Sequence, residues 1–199
     1  MLGLAFLFVF LIYLLIAIGV IVYTVRKAKE RGIAGWKWGV PAALFMYLIV
    51  FWDHIPTLIA HKYYCEKEAG FTVYKTLEQW KVENPEVAET LIYKEISDSE
   101  KQGNDYVYHL NERFDWRITE ERLFLSLLRS DNRIVDVSNG ELLAQYTDFR
   151  TGWGNIAIGA NTWREFKLWL VSGSCEREGE GISARYFSKF RNSAKRVGG

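Results

Sequence analysis

Polar and apolar positions divide the chain into two materials. From Met1 to Val25 no residue is charged, and MLGLAFLFVFLIYLLIAIGVIVYTV exceeds the ~20 apolar residues a helix needs to cross a ~30 Å hydrocarbon layer. The pattern predicts a transmembrane helix over residues 1–25. A cleaved signal peptide would carry a basic n-region, a shorter apolar core and an A-x-A-like site, and this segment lacks all three. A second uncharged run starts at Trp38 and resumes after Asp53-His54, predicting a second span over residues 38–60. Pro41 suits its first turn, whereas Pro56 predicts a kink or helix end near Trp52–Thr57. Trp36 and Trp38 at one end, with Trp52, Tyr63 and Tyr64 at the other, fit interfacial aromatic belts.

The loop 26–37 carries Arg26, Lys27, Lys29, Arg31 and Lys37 against the single acid Glu30. Positive-inside bias makes this loop cytoplasmic and puts both flanking ends on the other side. The expected location is therefore a cell membrane of the bacterial inner-membrane type, multi-pass, with an extracytoplasmic domain. The small residues Gly35, Gly39 and Ala43 recur every four positions, which suits close packing between the two helices. Asp53, His54, His61 and Lys62 read as an interfacial polar cluster, able to reach water by snorkelling.

Beyond residue 60 the pattern becomes that of a folded domain, residues 61–184, followed by a basic tail, 185–199. Phe71–Lys75 alternates as a strand, and Thr76-x-x-Gln79 reads as a capping box opening a helix. Asn84-Pro85 ends that helix and starts another, and residues 95–104 read as an exposed loop. Strand signals follow at Tyr106–Leu110, Phe114–Thr119, Leu123–Leu128, Arg133–Val137 and Leu142–Phe149. Asn139 and Gly140, both tolerant of positive φ, predict a hairpin turn between the last two. A glycine-rich turn at 152–159 and a capping box at Thr162-x-x-Glu165 predict one more short helix. The fold class is membrane-anchored α+β: two N-terminal transmembrane helices forming a hairpin, then one domain with an antiparallel sheet and a few short helices.

Composition sharpens this division. The totals of 49% hydrophobic and 25% charged residues suit a soluble domain, yet 42 of the 49 charged residues lie in 61–199. With 16% aromatics, 3 Pro and no repeat, disordered, collagen-like and coiled-coil classes are excluded. Residues 61–199 carry a net charge of −2, which removes the general electrostatic case for nucleic acid. The tail is the local exception. Arg185, Lys189, Arg191, Lys195 and Arg196 stand there without an acid, so the tail reads as a solvated, partly disordered terminus with anionic lipid as the functional option.

Candidate chemistry is sparse. Cys65 and Cys175 are the only cysteines, and an even count in an oxidising compartment suggests one disulfide. Of the three histidines, His54 and His61 lie seven positions apart on the second span, and His61 is four residues from Cys65. Neither Asp53 nor Glu66 completes a metal motif with them, so no metal or cofactor is expected. Gly152-x-Gly154-x-x-Ala157 matches a dinucleotide fingerprint only formally, because a βαβ context is missing. No nucleophile elbow, zincin or Walker motif occurs, and no catalytic residue is assigned. The favoured function is a non-enzymatic membrane protein presenting its domain to a protein partner, a second copy or another envelope component. The alternatives are a cytosolic-facing ligand sensor acting through the two helices, and a membrane-tethered hydrolase using His109.

Overall fold

The computed structural model describes residues 2–92, 99–123, 127–151, 170, 172–175 and 181–198. The chain divides into two compact units, Met1–Leu58 with Gly152–Val171, and Ile59–Thr151 with Ser172–Gly199. The expected glycine-rich turn and the capping box at Thr162 lie outside the described residues, as do residues 124–126.

In the first unit, helix α1 spans Leu2–Glu30 and α2 spans Trp36–Phe51, while α3, His54–Lys67, starts here. α1 is long and apolar enough to cross a membrane. α2 and α3 pass that test only as a pair bent by 63°. The second apolar segment is thus two helices broken at Trp52–Asp53, a broken span or a re-entrant loop, and helix continues to Lys67 rather than stopping at Ala60. The small-residue stripe has a direct use, because Val25 of α1 lies against Gly35 and Gly39. A Cβ on Gly39 would come within 2.7 Å of a Val25 methyl. Large apolar side chains such as Phe8, Leu15 and Phe45 are exposed at 63%, 63% and 66%. Such a surface is stable where apolar surroundings cover it.

The second unit is an antiparallel sheet with helices packed against it. Its strands are β1 (Gly70–Val73), β2 (Glu100–Gln102), β3 (Asp105–His109), β4 (Phe114–Arg122), β5 (Leu127–Asp136), β6 (Leu142–Thr151) and β7 (Ser172–Ser174). The order is β1-β6-β5-β4-β3-β2, with β7 also pairing β6. β5 occupies one side of β6 along nearly its whole length, so β1 and β7 share the other side. β1 covers Ala144–Thr147, and β7 covers Arg150 and Thr151.

Helices α4 (Leu77–Glu83), α5 (Pro85–Ala88) and α6 (Ile182–Lys195) complete this unit. The capping box of α4 is formed in both directions, between Thr76 and Gln79. Trp80, Phe114, Ile134, Leu143, Phe187, Ala194 and Val197 belong to one buried cluster between helices and sheet. Within the fold Asp136 is fully buried. Trp80 Nε1 donates to it at 2.7 Å, the Ser138 backbone and hydroxyl at 2.9 and 2.8 Å, and Arg113 Nε at 2.9 Å. Burial pushes this carboxyl up, but the hydrogen bonds from Trp80, Ser138 and Arg113 outweigh it and hold Asp136 below the ordinary Asp value.

Three expectations need correction. Of the strand expected at Leu123–Leu128, Leu123 is in no strand and β4 ends at Arg122, whereas Leu127 and Leu128 belong to β5, which continues through the polar residues Arg129–Asn132. Those residues suit a strand because Asp131 accepts from Thr147 at 2.7 Å and Asn132 accepts from Trp116 at 3.1 Å. The loop at 95–104 contains strand β2, whose three residues pair with β3 at the sheet edge. The basic tail is largely helix α6 rather than a partly disordered terminus, because Phe187, Phe190 and Ala194 give it an apolar face against the core, which Val197 joins just beyond the helix.

Candidate functional site

Two features of the second unit can bear function, and the sheet edge builds the first. Between the ends of β1 and β7, residues Asp148 and Phe149 of β6 pair with β5 on one side and, among the described residues, have no strand on the other. The chain fills that gap with a covalent link. Cys65, at the end of α3, bonds to Cys175, which directly follows β7, with Cα atoms 5.2 Å apart. The Cys175 N–H donates to Asp148 Oδ1 at 3.0 Å. Tyr64 stacks on the Phe149 ring at 5.2 Å between centroids, and Glu68 lies 3.5 Å from Arg129.

His61 joins this cluster one helical turn before Cys65. Its Nε2 lies 3.1 Å from the Phe149 carbonyl and 3.4 Å from Cys65 Sγ. A carbonyl only accepts, so Nε2 carries the proton. The ligand atoms of His61, Cys65 and Cys175 lie within 4.8 Å of one another, close enough to surround a metal ion. The chemistry of the donors argues otherwise in the oxidised chain. Both sulfurs are spent in a disulfide, whereas a metal takes thiolates, and Nε2 is committed as a donor. A pocket of about 100 Å³ beside the bond is lined by Cys65, Ala69, Gly70, Tyr146, Asp148 and Cys175, among others.

The second feature is a groove of about 640 Å³ between α4 and α6. Lys81 of α4 faces Arg185, Lys189 and Arg196 across it, with Ser188 and Asn192 between and Glu78 as the single acid. No family model, curated protein or solved structure matches this chain. What the molecule does must therefore be read from these two features and from the other residues the sequence singled out.

His109 has the acidic partners of a dyad. Its Nδ1 lies 2.7 Å from Asp115, which Arg117 also approaches at 3.4 Å, and Glu100 lies 3.7 Å from Nε2. The β3–β4 register pairs His109 with Asp115, so the contact is a cross-strand pair on a half-exposed sheet surface. It lines neither hollow described above.

The residues of the proposed interfacial cluster have separate partners. His54 Nδ1 meets the Tyr47 hydroxyl at 2.7 Å, His61 faces the Phe149 carbonyl, and Lys62 pairs with Glu66 at 3.9 Å on the surface. Asp53 and Thr57 are buried, and the Thr57 N–H donates to the Asp53 carbonyl at 3.0 Å. Lys27 pairs with Glu30 at 3.0 Å in the basic segment. Asn139 and Gly140 form the β5–β6 turn, with Gly140 at φ +72°. Within the tail, Arg191 leaves the basic surface to stack 4.2 Å from the Trp116 ring centroid, and burial pushes its guanidinium below the ordinary Arg value.

Two elements of the site were beyond sequence reasoning. The role of His61 depends on a two-residue gap between β1 and β7, which no local pattern encodes. Lys81 joins the basic tail residues only because α4 and α6 pack side by side, although 104 positions separate Lys81 from Arg185.

Proposed function

We propose that this chain is a non-enzymatic integral membrane protein, anchored by two spans, whose α+β domain faces an oxidising extracytoplasmic compartment and serves as a contact module for a protein or envelope component. The observation that carries this reading is the Cys65–Cys175 disulfide, since such bonds persist outside the reducing cytoplasm. Arg26, Lys27 and Lys29 at the end of α1, Arg31 after it and Lys37 at the start of α2 support the same orientation independently. The apolar exposed surfaces of α1 and α2 are those a bilayer covers.

Orientation is tested by thiol labelling in intact cells. Both native cysteines are bonded, so a single introduced cysteine is the only free thiol. Asn104 and Ala34 are exposed and suit the purpose. Asn104→Cys should react with a membrane-impermeant maleimide, and Ala34→Cys should react only after permeabilisation. The opposite pattern refutes the orientation and favours the cytosolic sensor.

A further inference from the structure

We infer that the α4–α6 groove is a binding site for the headgroup of an anionic glycerophospholipid. This deepens the proposed function, since it rests on the chain being held at a bilayer. Three observations carry it. First, the charge is concentrated against the trend of the domain. Residues 61–199 carry a net −2, yet the groove gathers Lys81, Arg185, Lys189 and Arg196 around one acid, Glu78. Lys81, Lys189 and Arg196 take part in no ion pair among the described residues.

Second, the groove has the size and chemistry of a headgroup site. Its volume of about 640 Å³ lies within the usual ~300–1,000 Å³ range for small-molecule sites. Ser188, Asn192 and Ser193 supply neutral hydrogen-bonding groups between the cations, as a phosphate with attached hydroxyls requires.

Third, the flanks are apolar and exposed, which separates a lipid from a soluble anion. Ile182 and Tyr186 lie one turn apart on α6, on the stripe that continues through Lys189 and Ser193, and they are 66% and 58% exposed. Val82, beside Lys81 on α4, is 80% exposed. Phe187 and Ala194, on a different stripe of α6, are buried in the core. A cationic helix with outward Ile and Tyr is built for the headgroup and acyl boundary. Tethering to a bilayer supplies the ligand at high effective concentration.

The test uses the full chain in neutral detergent micelles, with dioctanoylphosphatidylglycerol as probe and dioctanoylphosphatidylcholine as control, counted by native mass spectrometry. Phosphatidylglycerol should bind at least about tenfold more tightly. Lys81→Glu with Lys189→Glu should remove that preference, and Ile182→Ser with Tyr186→Ser should weaken lipid binding. All four residues are exposed, so the disulfide and the near-ultraviolet circular dichroism should stay intact. Equal binding of the two lipids overturns the inference. So does a preference that survives the groove variants and is lost instead with Lys27→Glu and Lys29→Glu. Binding of sn-glycerol 3-phosphate as tight as that of the lipid also overturns it, because the ligand is then a soluble phosphate. The assay is indifferent to orientation in cells, so its failure and that of the labelling experiment are distinguishable.

Discussion

Removing the Cys65–Cys175 bond should destabilise the sheet unit by an amount that can be worked from the chain itself. The cysteines are 110 residues apart. In the chain-entropy treatment, closing a loop of that length removes about 16 cal/mol/K from the unfolded ensemble, or about 5 kcal/mol at 25 °C. Whole-domain stabilities are ~5–15 kcal/mol, so the bond accounts for a third or more of the total. For a domain of this size, a loss of that magnitude lowers Tm by about 15 °C. The native geometry adds to the effect, because the bond also holds His61 against Phe149 and Cys175 against Asp148. The assay is thermal unfolding of the full chain in neutral micelles. It is followed by near-ultraviolet circular dichroism, which reports the packed tryptophans and not the apolar helices alone. The oxidised protein, the protein reduced with dithiothreitol and the Cys65→Ser/Cys175→Ser double variant are compared. Reduced and doubly substituted proteins should melt together, well below the oxidised one. If all three melt within about 3 °C, the bond is not a staple and the argument fails.

Two further outcomes follow from buried contacts. Asp136 sits below the ordinary Asp value, so its contribution is present above the unfolded value of ~3.9 and is lost as pH falls through its folded value. Asp136→Asn should therefore cost about 3 kcal/mol at pH 7 in urea unfolding and flatten the decline between pH 5 and 2; an unaltered decline refutes the assignment. Gly39→Val places side-chain atoms against Val25 of α1, where a Cβ alone already comes within 2.7 Å. It should lower the yield of an α1–α2 crosslink between engineered cysteines in a background without Cys65 and Cys175, and wild-type crosslinking would show that the helices do not depend on that approach.

The strands were legible where aromatic and branched apolar residues cluster between turn signals, as in Tyr106–Leu110 and Leu142–Phe149. In β5 the end at Arg133–Val137 was legible but Arg129–Asn132 was not, because a strand whose outward residues pair across the sheet has no apolar period. Asp131 looks like loop chemistry until Thr119 and Thr147 are placed opposite it. The tail illustrates the reverse. Its charges drew attention, while Phe187, Phe190, Ala194 and Val197 already carried a helical spacing that predicts an ordered, amphipathic helix. The disulfide was legible because it needs only two cysteines and a compartment. Its surroundings were not, since they arise from the way β1 and β7 divide one edge of β6.

That division also separates the two functional features. The pocket beside the disulfide and the α4–α6 groove share no lining residue. α6 has its own attachment to the sheet unit: Phe187, Ala194 and Val197 are buried, Asn111 donates to the Ala194 carbonyl at 3.0 Å, and Arg191 stacks on Trp116. The groove is therefore held by the core and not by the covalent bond. Effects at independent sites add, so groove substitutions should change lipid binding with little effect on Tm, and loss of the bond should lower Tm while leaving the groove assembled below the new midpoint. A domain built this way can vary its groove without surrendering the staple that keeps it folded.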